Sequence, residues 1–242
     1  QYLAEYTNIY DRPEAQKLQM SAANDNRRVL KPIEGIQYHK ISGDISDQAV
    51  LCSNFLLGSH DDPNKIIIEV NGILEDLKFK ENSSNIFEES LKNIAKYIGF
   101  DSQRPEQEFK KGPDVLWKIG ELKYLVIECK NEATSSTISK DYCNQLNGSG
   151  TWFETKYDKT CTYIPILIHP SRVFEYAASP QPRVRIITKD KLSEFCSSIR
   201  EFIKSICTNN ELGNQAAIRN KLIAHKLRAN DISEVYTVPY TA

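Results

Sequence analysis

The stretch GPDVLWKIGELKYLVIECK, residues 112–130, constrains this chain more than any other. Gly112-Pro113 punctuates its entry, Val115-Leu116-Trp117 is a short apolar run, Gly120 marks a reversal, and Tyr124 to Lys130 reads as a returning strand. Side chains alternate across a strand, so Val126, Glu128 and Lys130 share one face while Leu125, Ile127 and Cys129 share the other. A carboxylate and an ammonium then emerge together at the end of an apolar strand. Antiparallel pairing of the two strands brings Asp114 close to Glu128.

Two carboxylates that converge in apolar surroundings repel, and one is driven toward protonation unless a cation intervenes. A divalent metal resolves the conflict, and Mg²⁺ takes one or two carboxylates while keeping waters for the rest of its shell. Lys130 beside such a pair would position or activate an attacking water, or stabilise negative charge on a phosphate. Those are the requirements of phosphodiester hydrolysis.

Pro113-Asp114 followed by Glu128-Cys129-Lys130 resembles the PD-(D/E)XK nuclease superfamily, with Cys129 at the variable position. Upstream, residues 83–100 form an amphipathic pattern in which Phe87, Leu91, Ile94 and Ile98 make one stripe with Glu88 at its edge, closed by Gly99. The family carries an acidic residue on such a helix, and Glu88 matches it. Downstream, SKDYCNQLNG has a cap signal at Ser139, and Gln145 falls where many relatives carry a glutamine that orients water or phosphate.

The resemblance implies an α/β, restriction-endonuclease-like fold: a central mixed sheet flanked by helices. It also implies Mg²⁺ or Mn²⁺ held by Asp114, Glu128 and the Cys129 backbone carbonyl, with Glu88 supporting the metal shell. The expected activity is a Mg-dependent deoxyribonuclease on DNA. Residues 36–206 also resemble nuclease modules at the C-terminal end of bacterial superfamily 2 helicases, which suggests host defence or DNA processing. No GxxxxGK[ST] phosphate loop occurs, so a helicase motor would lie elsewhere on the same chain or on a partner. Cutting both strands would imply a homodimer. A different class, a non-cleaving nucleic-acid-binding or helicase-coupling module on the same fold, would have no use for an intact Asp, Glu and Lys set.

With 242 residues the chain can bury a substantial core. The expected divisions are an N-terminal helical segment over residues 1–80, a nuclease core over 81–210, and a basic helix and tail over 211–242. Gln1 in place of Met, with neither a signal peptide nor a membrane-length apolar run, reads as a piece of a longer cytoplasmic protein with no membrane partner. Six cysteines without a CxxC pair argue against a zinc site or a compact disulfide framework.

The net charge of −1 gives DNA binding no general support, so phosphate contacts would rest on local patches. The candidates are Lys110-Lys111, Arg183 with Arg185, and Arg219, Lys221, Lys226 and Arg228. Scattered basic residues are also what an ordinary solvated surface carries.

In chain order, helices are expected over Tyr2 to Tyr10, from Asp11 and Pro13 to about Ala23, from a Ser46 or Asp47 cap to Leu57, and from Asp62-Pro63 to Leu77. Residues 31–46, with Pro32, Gly35 and Gly43, read as loop, and His60 as a turn residue. The helix from Ser139 reads as interrupted at Gly148 to Gly150, with Trp152 and Phe153 as core. YIPILIHP is a strand in which Pro165 suggests a bulge or an edge, and His169 caps its end. Arg183 to Thr188 reads as a strand and Lys189 to Ile206 as a helix. Asn214 to Arg228 reads as a final helix, and residues 230–242 show no pattern.

Overall fold

A computed structural model describes residues 1–32, 38–41, 47–59 and 62–241. Gly35, Gly43, Ser46 and His60 lie outside the described residues, so the loop, cap and turn readings on them have no structural counterpart here. Among the described residues the helices are α1 (Tyr2–Thr7), α2 (Arg12–Asp25), α3 (Gln48–Ser59), α4 (Pro63–Asp76), α5 (Ser84–Tyr97), α6 (Pro105–Phe109), α7 (Lys140–Lys156), α8 (Lys189–Thr208), α9 (Gln215–Ala224) and α10 (Ala229–Val235). The strands are β1 (Asp101–Gln103), β2 (Val115–Lys118), β3 (Lys123–Cys129), β4 (Thr162–Ile168), β5 (Arg185–Ile187) and β6 (Val238–Pro239).

The strands form one open mixed sheet in the order β1-β2-β3-β4-β5-β6. The β1–β2 and β2–β3 pairs are antiparallel, β3, β4 and β5 are mutually parallel, and β6 returns antiparallel on β5. This is the α/β class with a central mixed sheet flanked by helices. No helix among the described residues is long and apolar enough to cross a membrane.

Alternation along β3 divides the interior. Leu125, Ile127 and Cys129 face a large core built with α3, α4, α5 and α8, while Tyr124 and Val126 face a smaller cluster with Phe153 of α7 and Tyr157 just after it. The large core takes in Cys52 and Leu56 of α3 and Ile66, Val70 and Leu74 of α4, so those two helices share their apolar interior with the sheet. Burying side chains such as Phe87, Leu91 and Ile94 contributes about 2 kcal/mol each. α5 ends where Gly99 takes φ +79°, a left-handed conformation that suits glycine. A Cβ there would lie 2.1 Å from the Gln48 carbonyl oxygen, so the position also needs its lack of side chain.

The start of α5 is tied to the chain just after β3. The Glu132 carboxylate accepts from the amides of Ser83 and Ser84 at 2.7 and 2.8 Å, and Asn131 donates to Ser83 Oγ at 2.9 Å. An anion on the unpaired amides at a helix N-terminus is electrostatically favoured, so this contact fixes α5 against the end of β3.

Several sequence readings are corrected. Gly148 to Gly150 do not interrupt the helix; α7 runs through them from its Ser139 cap. Gly150 serves close approach to the sheet, since a Cβ there would lie 2.6 Å from Tyr163 Oη. Gly150→Ala is therefore expected to cost about 1–3 kcal/mol through overpacking, read as a lower urea midpoint; an unchanged midpoint would mean that the helix does not press on β4 there.

Pro165 lies at no bulge, and the edge reading holds only locally. β4 is interior, and Pro165 pairs with Val126 one residue before pairing to β5 begins at Ile166, where β4 lacks its second neighbour. The strand read over Arg183 to Thr188 is shorter, and the helix read over Asn214 to Arg228 ends at Ala224. The patternless tail forms α10 and the edge strand β6. The two-residue β6 is too short to show a period, and Arg185 Nε anchors it by donating to Thr237 Oγ1 at 2.8 Å. β1 and α6, both short, were likewise hidden in the connection from Asp101 to Lys111.

Candidate active site

The β2–β3 register sets Val115 opposite Ile127, which puts Asp114 and Glu128 side by side at the end of the pair where β3 finishes. Asp114 is 7% exposed and Glu128 4%. Asp114 Oδ2 accepts from the Cys129 amide at 2.7 Å, which fixes the aspartate against the end of β3. The Cys129 side chain is buried in the large core on the opposite face, as alternation requires. Lys130 Nζ lies 3.3 Å from Glu128 Oε2 and 3.6 Å from Asp114 Oδ2, so one ammonium serves both carboxylates.

Around this trio the supporting groups come from three helices. Ser149 of α7 donates to Glu128 Oε1 at 2.7 Å. Glu106 of α6 is hydrogen-bonded to Asp114, and its own amide donates to the Pro113 carbonyl at 3.2 Å. Glu88 of α5 is ion-paired with the buried Arg104, whose guanidinium also reaches Glu89 at 3.2 Å and Asn85 at 3.0 Å. Glu88 is close enough for its charge to be felt by Asp114 and Lys130, but its direct partner is the arginine. Gln145 is exposed on α7 and lines a pocket of about 370 Å³ with Glu106, Glu128, Lys130 and Trp152.

The electrostatics show an excess of negative charge that one lysine does not balance. Burial, then the Asp114 charge, pushes Glu128 up to about 8 despite Lys130 and Ser149. Burial and the hydrogen bond to Asp114 push Glu106 up to about 7, although the residue as a whole is solvent-exposed. Glu88 is raised by burial and by Asp114, against the opposing pull of Arg104. For Lys130, burial disfavours the ammonium, but Asp114 and Glu128 outweigh it and its pKa is raised.

Hard carboxylate oxygens that raise one another's pKa are the donor set a divalent cation relieves, and in that sense the residues fit Mg²⁺ or Mn²⁺. Asp114 and Glu128 would hold it with Glu106 alongside, and the cation would supply charge neutralisation at a phosphate. Among the described residues no group of three or more His, Cys, Asp or Glu side chains stands ready-made as a metal cage. Mg²⁺ bound through one or two carboxylates and waters does not require one.

Asp114, Glu128 and Lys130 meet in space as alternation predicts, whereas Glu88, expected to support the metal shell, is turned to Arg104, and Gln145 stands exposed on the pocket wall; three neighbours had no site expectation attached. Ser149 and Trp152 follow Gln145 at i+4 and i+7, so a continuous α7 would have put all three on one face. The glycines obscured that signal. Trp152 is half-buried and lines the pocket, whereas Phe153 beside it is fully in the core. Glu106 had no periodic signal, because it depends on α6 folding back over Pro113.

His169 is fully buried, and its Nδ1 accepts from the Ser171 amide at 3.0 Å, so it holds the turn that ends β4. Four of the candidate phosphate-binding cations are engaged locally. Lys110 pairs with Asp11 at 3.1 Å, Arg183 stacks on Tyr163 at 4.3 Å, Lys221 pairs with Glu211 at 3.0 Å, and Arg228 with Asp231 at 2.8 Å.

Comparison with known protein families, with curated proteins and with solved structures finds no match to this chain.

Proposed function

We propose that this chain is a divalent-metal-dependent nuclease domain that hydrolyses DNA phosphodiester bonds on a restriction-endonuclease-like fold. The observation that carries the reading is the convergence of Asp114, Glu128 and Lys130 at one end of β3, with Lys130 Nζ within 3.6 Å of both carboxylates. A purely structural trio would leave no reason for a further acidic side chain, Glu106, to crowd the same point. The PD-(D/E)XK resemblance supplies the same assignment from sequence.

Between the two roles open to Lys130, its raised pKa favours the charged one. It keeps its proton beside two anions and serves as a donor to charge developing on the phosphate. Glu106, open to the pocket beside Asp114, is placed to take a proton from an attacking water. Gln145 at the pocket wall would orient water or phosphate. Strand separation, if the reaction needs it, would belong to another domain or a helicase partner.

The test is cleavage of linear and circular DNA with Mg²⁺, Mn²⁺ or EDTA, beside Asp114→Asn. Metal-dependent cutting that falls at least about 100-fold in the variant is expected. Equal cutting by the variant would rule this site out. DNA binding without cutting under any metal would favour the non-cleaving binding module.

A further inference from the structure

We infer that the pocket over Glu128 and Lys130 takes a single unpaired nucleotide with its base against the Trp152 indole, which makes unpaired strand the substrate. This rests on the nuclease reading and adds to it the state of the strand.

Asp114 and Glu128 are almost fully covered, at 7% and 4% exposure, and the Lys130 side chain is 16% exposed. A scissile phosphate reaches them only by entering the pocket of about 370 Å³. That volume belongs to the small-ligand scale and accommodates about one nucleotide. A base-paired, stacked duplex does not enter a cleft of this size unless a nucleotide leaves the stack.

Trp152 stands one turn beyond Gly148 and Ser149 on the face of α7 that lines the pocket. Its ring is held from two sides. Gly112, at φ +113°, lies so close that a Cβ there would be 2.8 Å from indole Cε2, and Tyr38 packs edge-on with ring centroids 4.8 Å apart. A pre-ordered aromatic wall adds little ordering cost on binding. Gly148 leaves open room, since a Cβ there meets nothing within 4 Å. Aromatic side chains stack bases of single strands without regard to sequence, and with Lys130 a cation bound at the carboxylates would supply the positive charge for the phosphate.

The chain has two tryptophans, and Trp117 is 1% exposed, so a nucleotide in the pocket is reported by Trp152 emission. The experiment titrates the protein with short oligothymidylate, an abasic strand of equal length and a hairpin duplex, in Ca²⁺ and in EDTA. Saturable quenching by oligothymidylate is expected, with much weaker response to the abasic strand and the hairpin. Trp152→Leu is expected to bind oligothymidylate roughly 5- to 150-fold more weakly by fluorescence anisotropy of a labelled strand. Equal quenching by the abasic strand, tighter binding of the hairpin, or unchanged affinity in Trp152→Leu would each overturn the inference. The abasic comparison needs no variant, so it decides even where Trp152→Leu does not fold. Cleavage in Mg²⁺ is followed separately: a wild type that cuts but fails these tests loses only this inference, and one that never cuts loses the nuclease reading.

Discussion

Lys130→Met is expected to lower metal-dependent DNA cleavage about 100- to 1,000-fold and, in metal-free buffer, to destabilise the protein by on the order of 3 kcal/mol. Both effects come from one ammonium. Its Nζ is 3.3 Å from Glu128 and 3.6 Å from Asp114, and removing it leaves the covered Asp114 carboxylate without its cation beside Glu128. A buried charge that loses its partner costs more than the pair contributed, which is why the stability loss is large. The two effects separate when Mg²⁺ is added. A cation between the carboxylates restores stability, so Tm rises further with Mg²⁺ in the variant than in the wild type, while cleavage stays low because the donor to the phosphate is still missing. Lys130→Arg keeps the charge and should retain most of the stability. If Lys130→Met cuts as the wild type does, the lysine has no part in the chemistry; if its Tm is unchanged in EDTA, the ammonium is not what holds the carboxylates together.

The parts of this site that were legible in the sequence are those set by strand alternation. Glu128 and Lys130 had to share a face, and a short connection through Gly120 had to bring Asp114 back beside Glu128. The amphipathic stripe likewise gave α5, and its edge gave Glu88. What the stripe could not show is that Arg104, from the chain after β1, would take Glu88 as its partner. Glu106 was illegible for a similar reason. α6 is five residues long, below the length at which a helical period can be read, and its place over Asp114 comes from a backbone hydrogen bond to Pro113. The glycines of α7 misled because glycine ordinarily weakens a helix, whereas here tertiary packing against Tyr163 makes the small side chain the requirement. β6 shows the same limit at the sheet edge, where two residues depend on pairing with β5.

In metal-free buffer the folded protein is expected to lose stability as pH rises from about 6.5 to 8, by up to about 2 kcal/mol, and Glu128→Gln is expected to flatten most of that slope. Burial and the Asp114 charge hold the folded-state pKa of Glu128 at about 8, against 4.5 for an unperturbed glutamate. The folded state thus binds a proton that the unfolded chain releases, so this contribution is complete below about pH 4.5 and is lost as pH climbs through about 8. Glu106 and Glu88 shift in the same direction and add to the slope, Glu106 weakly because water screens it. Below about pH 6.5 the histidines oppose it. His169 and His225 have lowered pKa values from burial, so acid stabilises their charged forms in the unfolded chain and destabilises the fold. The raised Lys130 contributes no slope here, because its proton is held in both states across this range. The carboxylate effect therefore stands clear only in the upper window. Mg²⁺ should reduce the slope in the wild type, since a bound cation favours the ionised carboxylates of the fold. Urea unfolding at pH 6.5 and 8, in EDTA and in Mg²⁺, decides the matter: a flat profile in EDTA, or one equally steep in Glu128→Gln, would mean that the carboxylates at the end of β3 do not carry the excess negative charge assigned to them.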